Sequence, residues 1–248
     1  MPDAVAPLPG GDAAPPPPVG FFDSGVGGVS VARAFLRLRP GASVRYVADW
    51  EHCPYGALSD EEVRARALAI SRSLVSAGCN PVVVACNTAS AVALADLRAA
   101  FPATSFVGME PAIKPAAALS ENGVVGVLAT SHTLRGDLFR RTCGKFASSL
   151  RVVLAEGEGF VELVESGELE SPRALAAVSR ALAPLLDAGC DTVALACTHY
   201  PALLPLMRRV APSVRFLDPA EAVAARAAAV WDKIAAAGSG RPSGAPPS

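Results

Sequence analysis

Residues 77–88 read AGCNPVVVACNT, and residues 188–199 read AGCDTVALACTH. The two stretches align without a gap at an offset of 111 residues and share six of their twelve positions: Ala, Gly, Cys, then Val, then Ala, Cys. In each copy a helical stretch ends at Ala-Gly, a β-branched run follows, and a cysteine stands just past that run. A weaker echo links GFFDSG at 20–25 with VLATSH at 127–132, each an apolar strand followed by a small hydroxyl residue. Shared strand-and-helix grammar accounts for the Ala-Gly and the valines. It accounts less well for Cys86 and Cys197 at matching positions. The repeat predicts two similar α/β units of about 110 residues each.

Outward from the repeat, short apolar runs alternate with alanine- and leucine-rich stretches. The runs are GFF at 20–22, VRYVA at 44–48, PVVVA at 81–85, TSFVG at 104–108, VVGVLA at 124–129, VVL at 152–154, TVALA at 192–196 and VRFL at 214–217. Helices are predicted between them, for instance over 61–78 and 172–189. Runs apolar at every position are buried on both faces, which is the mark of parallel sheets covered by helices.

Of the 248 residues, 51% are hydrophobic and 18% charged, a balance that excludes a wholly disordered chain. The net charge of -1 offers no basic footprint for nucleic acid. No run reaches the 18 or so apolar residues that a membrane span needs. The Pro-rich start, MPDAVAPLPGGDAAPPPPV, has no basic region before an apolar run and does not read as a signal peptide, so a cytoplasmic location is expected. Residues 1–18 and 238–248 are Pro/Gly/Ser/Ala-rich and are read as flexible tails. Six cysteines stand at 53, 79, 86, 143, 190 and 197, with no C-x-x-C pair. A disulfide framework and a structural zinc site are therefore not expected. His52, His132 and His199 form no paired spacing, so no metal is assigned.

Ligands of open α/β sheets bind beyond the carboxyl ends of the strands. Cys86 and Cys197 both occupy such places. Facing one cleft, two thiols can serve as a two-base pair, one removing a weakly acidic Cα proton and the other returning a proton to the opposite face. One must be thiolate while the other is thiol. With a free cysteine pKa of about 8.5, neighbours must help. Two buried structural cysteines are the plain alternative. His199 can share a proton with a thiol or with substrate, although a histidine near a strand end is commonly a polar surface group. Asn87 and Thr88 offer hydrogen bonds. Ser90 is expected to open the next helix, where backbone N–H groups suit a carboxylate or simply a cap. DSGVGG at 23–28 lacks the dinucleotide spacing, but places Asp23 and Ser24 on a turn that allows close backbone approach. In CPYG at 53–56, Tyr55 either assists an anion or covers the core; Cys53 has no counterpart in the second unit.

FDSGVGG at 22–28, PYG at 54–56, ACNTAS at 85–90, GMEPA at 108–112 and CTHYP at 197–201 together resemble the glutamate racemases of the aspartate/glutamate racemase family, over roughly residues 19–237. FVELVESG at 160–167 is similar to a further stretch of that family. The resemblance implies two pseudo-symmetric three-layer α/β/α domains with mainly parallel sheets, the active site lying in the cleft between them. Residues 19–110 with 218–237 would form the first domain and 111–217 the second. It implies that Cys86 takes the proton from D-glutamate and Cys197 from L-glutamate. Asp23 would assist Cys86, and His199 would assist Cys197. Ser24, Pro54, Tyr55, Gly56, Asn87, Thr88, Thr130 and Thr198 would hold substrate, and Glu165 would stand beside the histidine. It further implies no cofactor, a small-molecule substrate, a possible homodimer, and a role in supplying D-glutamate for peptidoglycan.

The chain departs from the family pattern at Ala48 and Trp50, at Ala196 before the second cysteine, at Gly157-Glu158, at Glu162, and at Gly136 and Phe139. None removes a proposed base. Three other readings compete. A racemase acting on aspartate or on several amino acids keeps both cysteines. A regulatory binding relative has no use for them. A thiol hydrolase needs one.

Overall fold

The computed structural model describes residues 15–110, 112–135, 144 and 150–238. Most of the N-terminal leader, Pro111, Gly136, Phe139, Cys143 and the final ten residues lie outside the described residues. Each predicted apolar run contributes a strand: β1 (Val19–Asp23), β2 (Val44–Ala48), β3 (Val82–Val84), β4 (Phe106–Gly108), β5 (Val124–Ala129), β6 (Arg151–Glu156), β7 (Thr192–Ala196) and β8 (Arg215–Leu217). They form two four-stranded sheets, ordered β2-β1-β3-β4 and β6-β5-β7-β8, with every pairing parallel. The two orders are the same when counted from each sheet's own first strand. The repeat of the sequence is thus a repeat of topology, with β3 and β7 as the matching strands.

Helices α1 (Val29–Leu38), α2 (Asp60–Ser76), α3 (Asn87–Ala100) and α4 (Ile113–Leu119) alternate with the first strands. α5 (Ser131–Arg135), α6 (Phe160–Glu165), α7 (Pro172–Asp187), α8 (Leu204–Val210) and α9 (Ala220–Gly238) follow. Alternation along a strand sends successive side chains to opposite faces, and both faces are covered. Phe21, Val83 and Ala85 pack with residues of α1 and α9 on one face of the first sheet, while Phe22, Val82 and Val84 pack with α2 and α3 on the other. In the second sheet Val193 and Leu195 join α7 and α8, and Val125, Val127 and Ala194 join α4. Fully buried Phe21, Phe22, Phe35 and Phe160 each contribute about 1.5–3 kcal/mol by removal of apolar surface from water.

The shared Ala-Gly-Cys now has a local cause. Two residues past the last residue of α2 and of α7 stands a glycine with φ +79°, Gly78 and Gly189, a conformation that strains any residue with a Cβ. In each case the following cysteine N–H, of Cys79 or Cys190, bonds back into the helix at 3.0 Å. Cys79 and Cys190 are then buried as the chain enters the strand.

Two expectations change. α3 begins at Asn87, with Cys86 as its cap residue, so Ser90 lies inside the first turn instead of opening the helix. The Cys86 sulfur accepts the Ala89 N–H, and the Ser90 hydroxyl turns inward to the Val84 carbonyl, which lets the helix start earlier. The end of the leader is tied down: Pro17 accepts from the Trp231 indole and Pro18 from the Asn80 N–H.

Candidate active site

The carboxyl ends of β1, β3, β5 and β7 face one another across the junction of the two sheets. β3 ends at Val84 and leads through Ala85 into Cys86, whereas β7 ends at Ala196 and leads directly into Cys197. Both thiols line one narrow cleft. Its walls include Ser24 after β1, Pro54, Tyr55 and Gly56 after β2, Asn87 and Thr88 at the start of α3, Thr130 after β5, and Thr198. The cleft contains about 290 Å³ of empty space including its mouth, of which about 20 Å³ admits the centre of a water molecule. That is room for about one water, so a larger ligand fits only if the walls part. Val161 and Ala196 also line it. Spacing did not single them out, although Val161 falls within the 160–167 stretch and Ala196 immediately precedes Cys197.

Asp23 and His199 stand beside the thiols, both buried. Asp23 Oδ2 accepts the Gly28 N–H at 2.7 Å and the Thr198 hydroxyl at 3.2 Å, the latter from the opposite sheet. Oδ1 has no well-formed hydrogen bond among the described residues, nor has either amide atom of buried Asn87. Unsatisfied buried polar atoms are costly and rare, so the two on Asn87, which lines the cleft, point to a ligand with polar groups. Burial pushes the Asp23 carboxyl up, against the His199 charge and the Gly28 and Ser24 N–H groups. Burial also pushes the Cys86 thiol well up, and the Asp23 charge adds to it, while the Ala89 N–H acts the other way.

His199 is not the surface group that its position suggested: it is 2% exposed. Its Nδ1 lies 3.9 Å from Cys197 Sγ and its Nε2 lies 2.6 Å from Glu165 Oε1. Burial pulls the imidazole down, but hydrogen bonds to Cys197 and Cys53 and the Cys197 and Asp23 charges outweigh it. The His199 pKa is pushed up to about 12. Glu165 Oε1 also accepts the Val26 N–H from the first sheet's turn at 2.8 Å, which fixes the carboxylate between the halves.

That turn needs its glycines. A Cβ on Gly25 would stand 1.9 Å from Glu165 Oε1, and one on Gly27 would stand 2.7 Å from His199 Nδ1. Tyr55 covers the core, as one of its two readings had it: its hydroxyl donates to Asp49 at 2.6 Å, and Arg66 grips the same carboxylate at 2.7 and 2.9 Å. The departure at Gly157 also has a cause, since the Tyr200 ring lies where a Cβ would go, 2.6 Å away. Trp50 is 62% exposed and nothing in the structure explains it. Cys53, set aside in the sequence for want of a counterpart, comes within 4.0 Å of Glu165.

The Asp/Glu/Hydantoin racemase family model matches residues 29–227. The chain belongs to this family. Within the family, curated relatives 46–50% identical to it are glutamate racemases. It is 50% identical over 214 residues to the glutamate racemase of Roseiflexus sp. (strain RS-1), which covers 86% of this chain and 79% of that one. It superposes with a TM-score of 0.80 on the Escherichia coli glutamate racemase solved in complex with L-glutamate and the activator UDP-MurNAc-ala, at 36% identity over 88% of this chain and 83% of that one. Against the Bacillus anthracis glutamate racemase isoform RacE1 the TM-score is 0.79 at 30% identity, covering 88% and 82% of the two chains. The racemase fold of these relatives is the two-sheet α/β arrangement described above.

Proposed function

We propose that this chain interconverts L-glutamate and D-glutamate by moving the Cα proton between Cys86 and Cys197. The observation that carries the reading is that both thiols, from matching strand ends of two like sheets, line one narrow cleft. In the L-to-D direction the Cys197 thiolate takes the Cα proton, forming S–H as the C–H bond breaks. Cys86, whose thiol form burial favours, then gives its proton to the opposite face of Cα. His199 shares a proton with Cys197, and Glu165 positions the imidazole. Asp23 plays the corresponding part beside Cys86. In the D-to-L direction the roles exchange.

Ser24, Asn87, Thr88, Thr130 and Thr198 supply hydrogen bonds for the substrate's carboxylates and ammonium group. The N–H groups that open α3 favour a carboxylate at the same place. Pro54, Tyr55 and Gly56 form the wall that closes over it. The scheme uses these side chains alone, with no cofactor. It divides the chain into a first domain of 19–110 with 218–237 and a second of 111–217, the cleft lying between them. D-glutamate made this way in the cytoplasm would serve peptidoglycan synthesis.

The test is incubation with L-glutamate in deuterated water beside Cys86→Ser and Cys197→Ser variants, with L-aspartate in parallel, following optical rotation and Cα-proton exchange. Racemisation of glutamate with deuterium uptake, reduced about 10²–10⁴-fold in each variant, is expected. Turnover of aspartate alone keeps the mechanism and overturns the substrate. No exchange with either amino acid by folded, reduced protein overturns both.

A further inference from the structure

Cys53 has no part in the proton transfer, yet it lies against two residues that do. It comes from the loop after β2 and packs against the core of the second sheet. Its sulfur is 4.0 Å from Glu165 Oε1, which is 2.6 Å from His199 Nε2. The three ligand atoms all lie within 4.8 Å of one another. Metal bonds of about 2.0–2.3 Å in tetrahedral zinc sites put ligand atoms roughly 3.3–3.6 Å apart, so shifts of an ångström or less convert the observed triangle into a coordinating one. Thiolate, imidazole and carboxylate together suit a borderline-soft divalent cation and not Mg²⁺ or Ca²⁺, which prefer oxygen. Cys53 and Glu165 are partly exposed, so the place is open to solvent, and three protein ligands leave a fourth position for water.

We propose that Cys53, Glu165 and His199 form a binding site for a thiophilic divalent cation of the Zn²⁺ type, and that its occupation inhibits the enzyme. The cation joins the first sheet's loop to two side chains of the second sheet beside the cleft, so it opposes the parting that ligand entry requires. It also takes the His199 nitrogen that otherwise faces Glu165 and displaces the proton held there. The inhibition rests on the proposed racemase reading; the binding does not.

Reduced, metal-stripped full-length protein is titrated with zinc chloride against a chromogenic chelator, beside Cys53→Ala and a Cys86→Ser/Cys197→Ser double variant. One equivalent of zinc is expected in the wild-type chain and in the double variant, with binding weakened about tenfold or more in Cys53→Ala. Whatever its own racemisation rate, Cys53→Ala is expected to lose its sensitivity to zinc. Cobalt(II) added to the double variant is expected to give a thiolate-to-metal charge-transfer band that disappears when Cys53 is also replaced, which covers a poorly folded single variant. Equal zinc affinity in the wild type and Cys53→Ala overturns the site. So does loss of zinc binding and of the cobalt band in the double variant, which would assign the cation to the two cleft thiols. Zinc binding through Cys53 in a chain that racemises nothing would retain the site and overturn only the proposed activity.

Discussion

Glu165 and His199, 34 residues apart in sequence, are joined by a 2.6 Å contact between Oε1 and Nε2, while the same oxygen takes the Val26 N–H from the other sheet. The carboxylate therefore reads the position of the first sheet's glycine turn and sets the orientation of the imidazole that faces Cys197. Glu165→Gln removes a charge that favours the imidazolium. Racemisation is expected to fall about 10–100-fold, and the alkaline limb of the kcat/KM profile is expected to move to lower pH. A loss of rate with an unmoved profile would show that Glu165 acts in another way.

The raised His199 pKa also links stability to pH. A histidine whose folded pKa lies near 12, above its ordinary 6.5, contributes stability that is fully present below 6.5 and is lost as pH rises towards 12. The gap in urea midpoint between the wild type and His199→Gln is expected to be widest below about pH 6.5 and to narrow steadily above it. A gap that widens with rising pH would contradict this.

Asp23 has the same sign of pH dependence for a different reason. Its folded pKa is raised, so its ionised form is disfavoured in the fold and stability is lost as pH climbs from 3.8 towards the folded value. Asp23→Asn keeps an oxygen to accept from Gly28 and carries no buried charge. At neutral pH the variant is expected to be as stable as the wild type or more so in chemical denaturation, with racemisation about 10²–10⁴-fold slower. Marked destabilisation would assign Asp23 a structural role.

Gly25→Ala places a methyl group on the Glu165 carboxylate, where a separation of 1.9 Å cannot be relieved without moving Glu165 or the turn. A loss of about 1–3 kcal/mol in stability is expected. The kcat should fall further than that loss explains, since Glu165 must leave His199. Wild-type turnover in this variant would show that the turn yields freely.

Asp49 is held below its ordinary carboxylate range: burial raises it, but hydrogen bonds from Arg66 and Tyr55 and the Arg66 charge outweigh that. Its contribution to stability is present above 3.8 and is lost as pH falls through the folded value. Tyr55→Phe is expected to cost about 1–3 kcal/mol by urea unfolding at neutral pH. The wall of the cleft loosens with it, so the KM should rise more than kcat falls.

The strands were legible because a run such as PVVVA, apolar at every position, fits a strand buried on both faces and little else. The matched thiols were legible because Cys86 and Cys197 stand at the same place in two otherwise half-matching stretches. What sequence order could not supply was which loops meet across the two sheets. Cys53 and Glu165 are 112 positions apart, and nothing local to either announces the other. The burial of His199 escaped for the same reason, since α6 and the glycine turn that cover it come from elsewhere in the chain. The early start of α3 was hidden because a cysteine is a rare cap residue, whereas Ser90 looks like a common one.

Cys86 and Cys197 hold matching places in unlike surroundings, one against a carboxyl and the other against an imidazole. Mirror-image amino acids have the same free energy in water, so the equilibrium between them favours neither hand. For the proposed reaction, microscopic reversibility then makes kcat/KM equal in the two directions, whatever surrounds each thiol. The dissymmetry of the cleft can show itself only in how each direction divides that common ratio between turnover and saturation. The hand that saturates at lower concentration must turn over more slowly, in the same proportion.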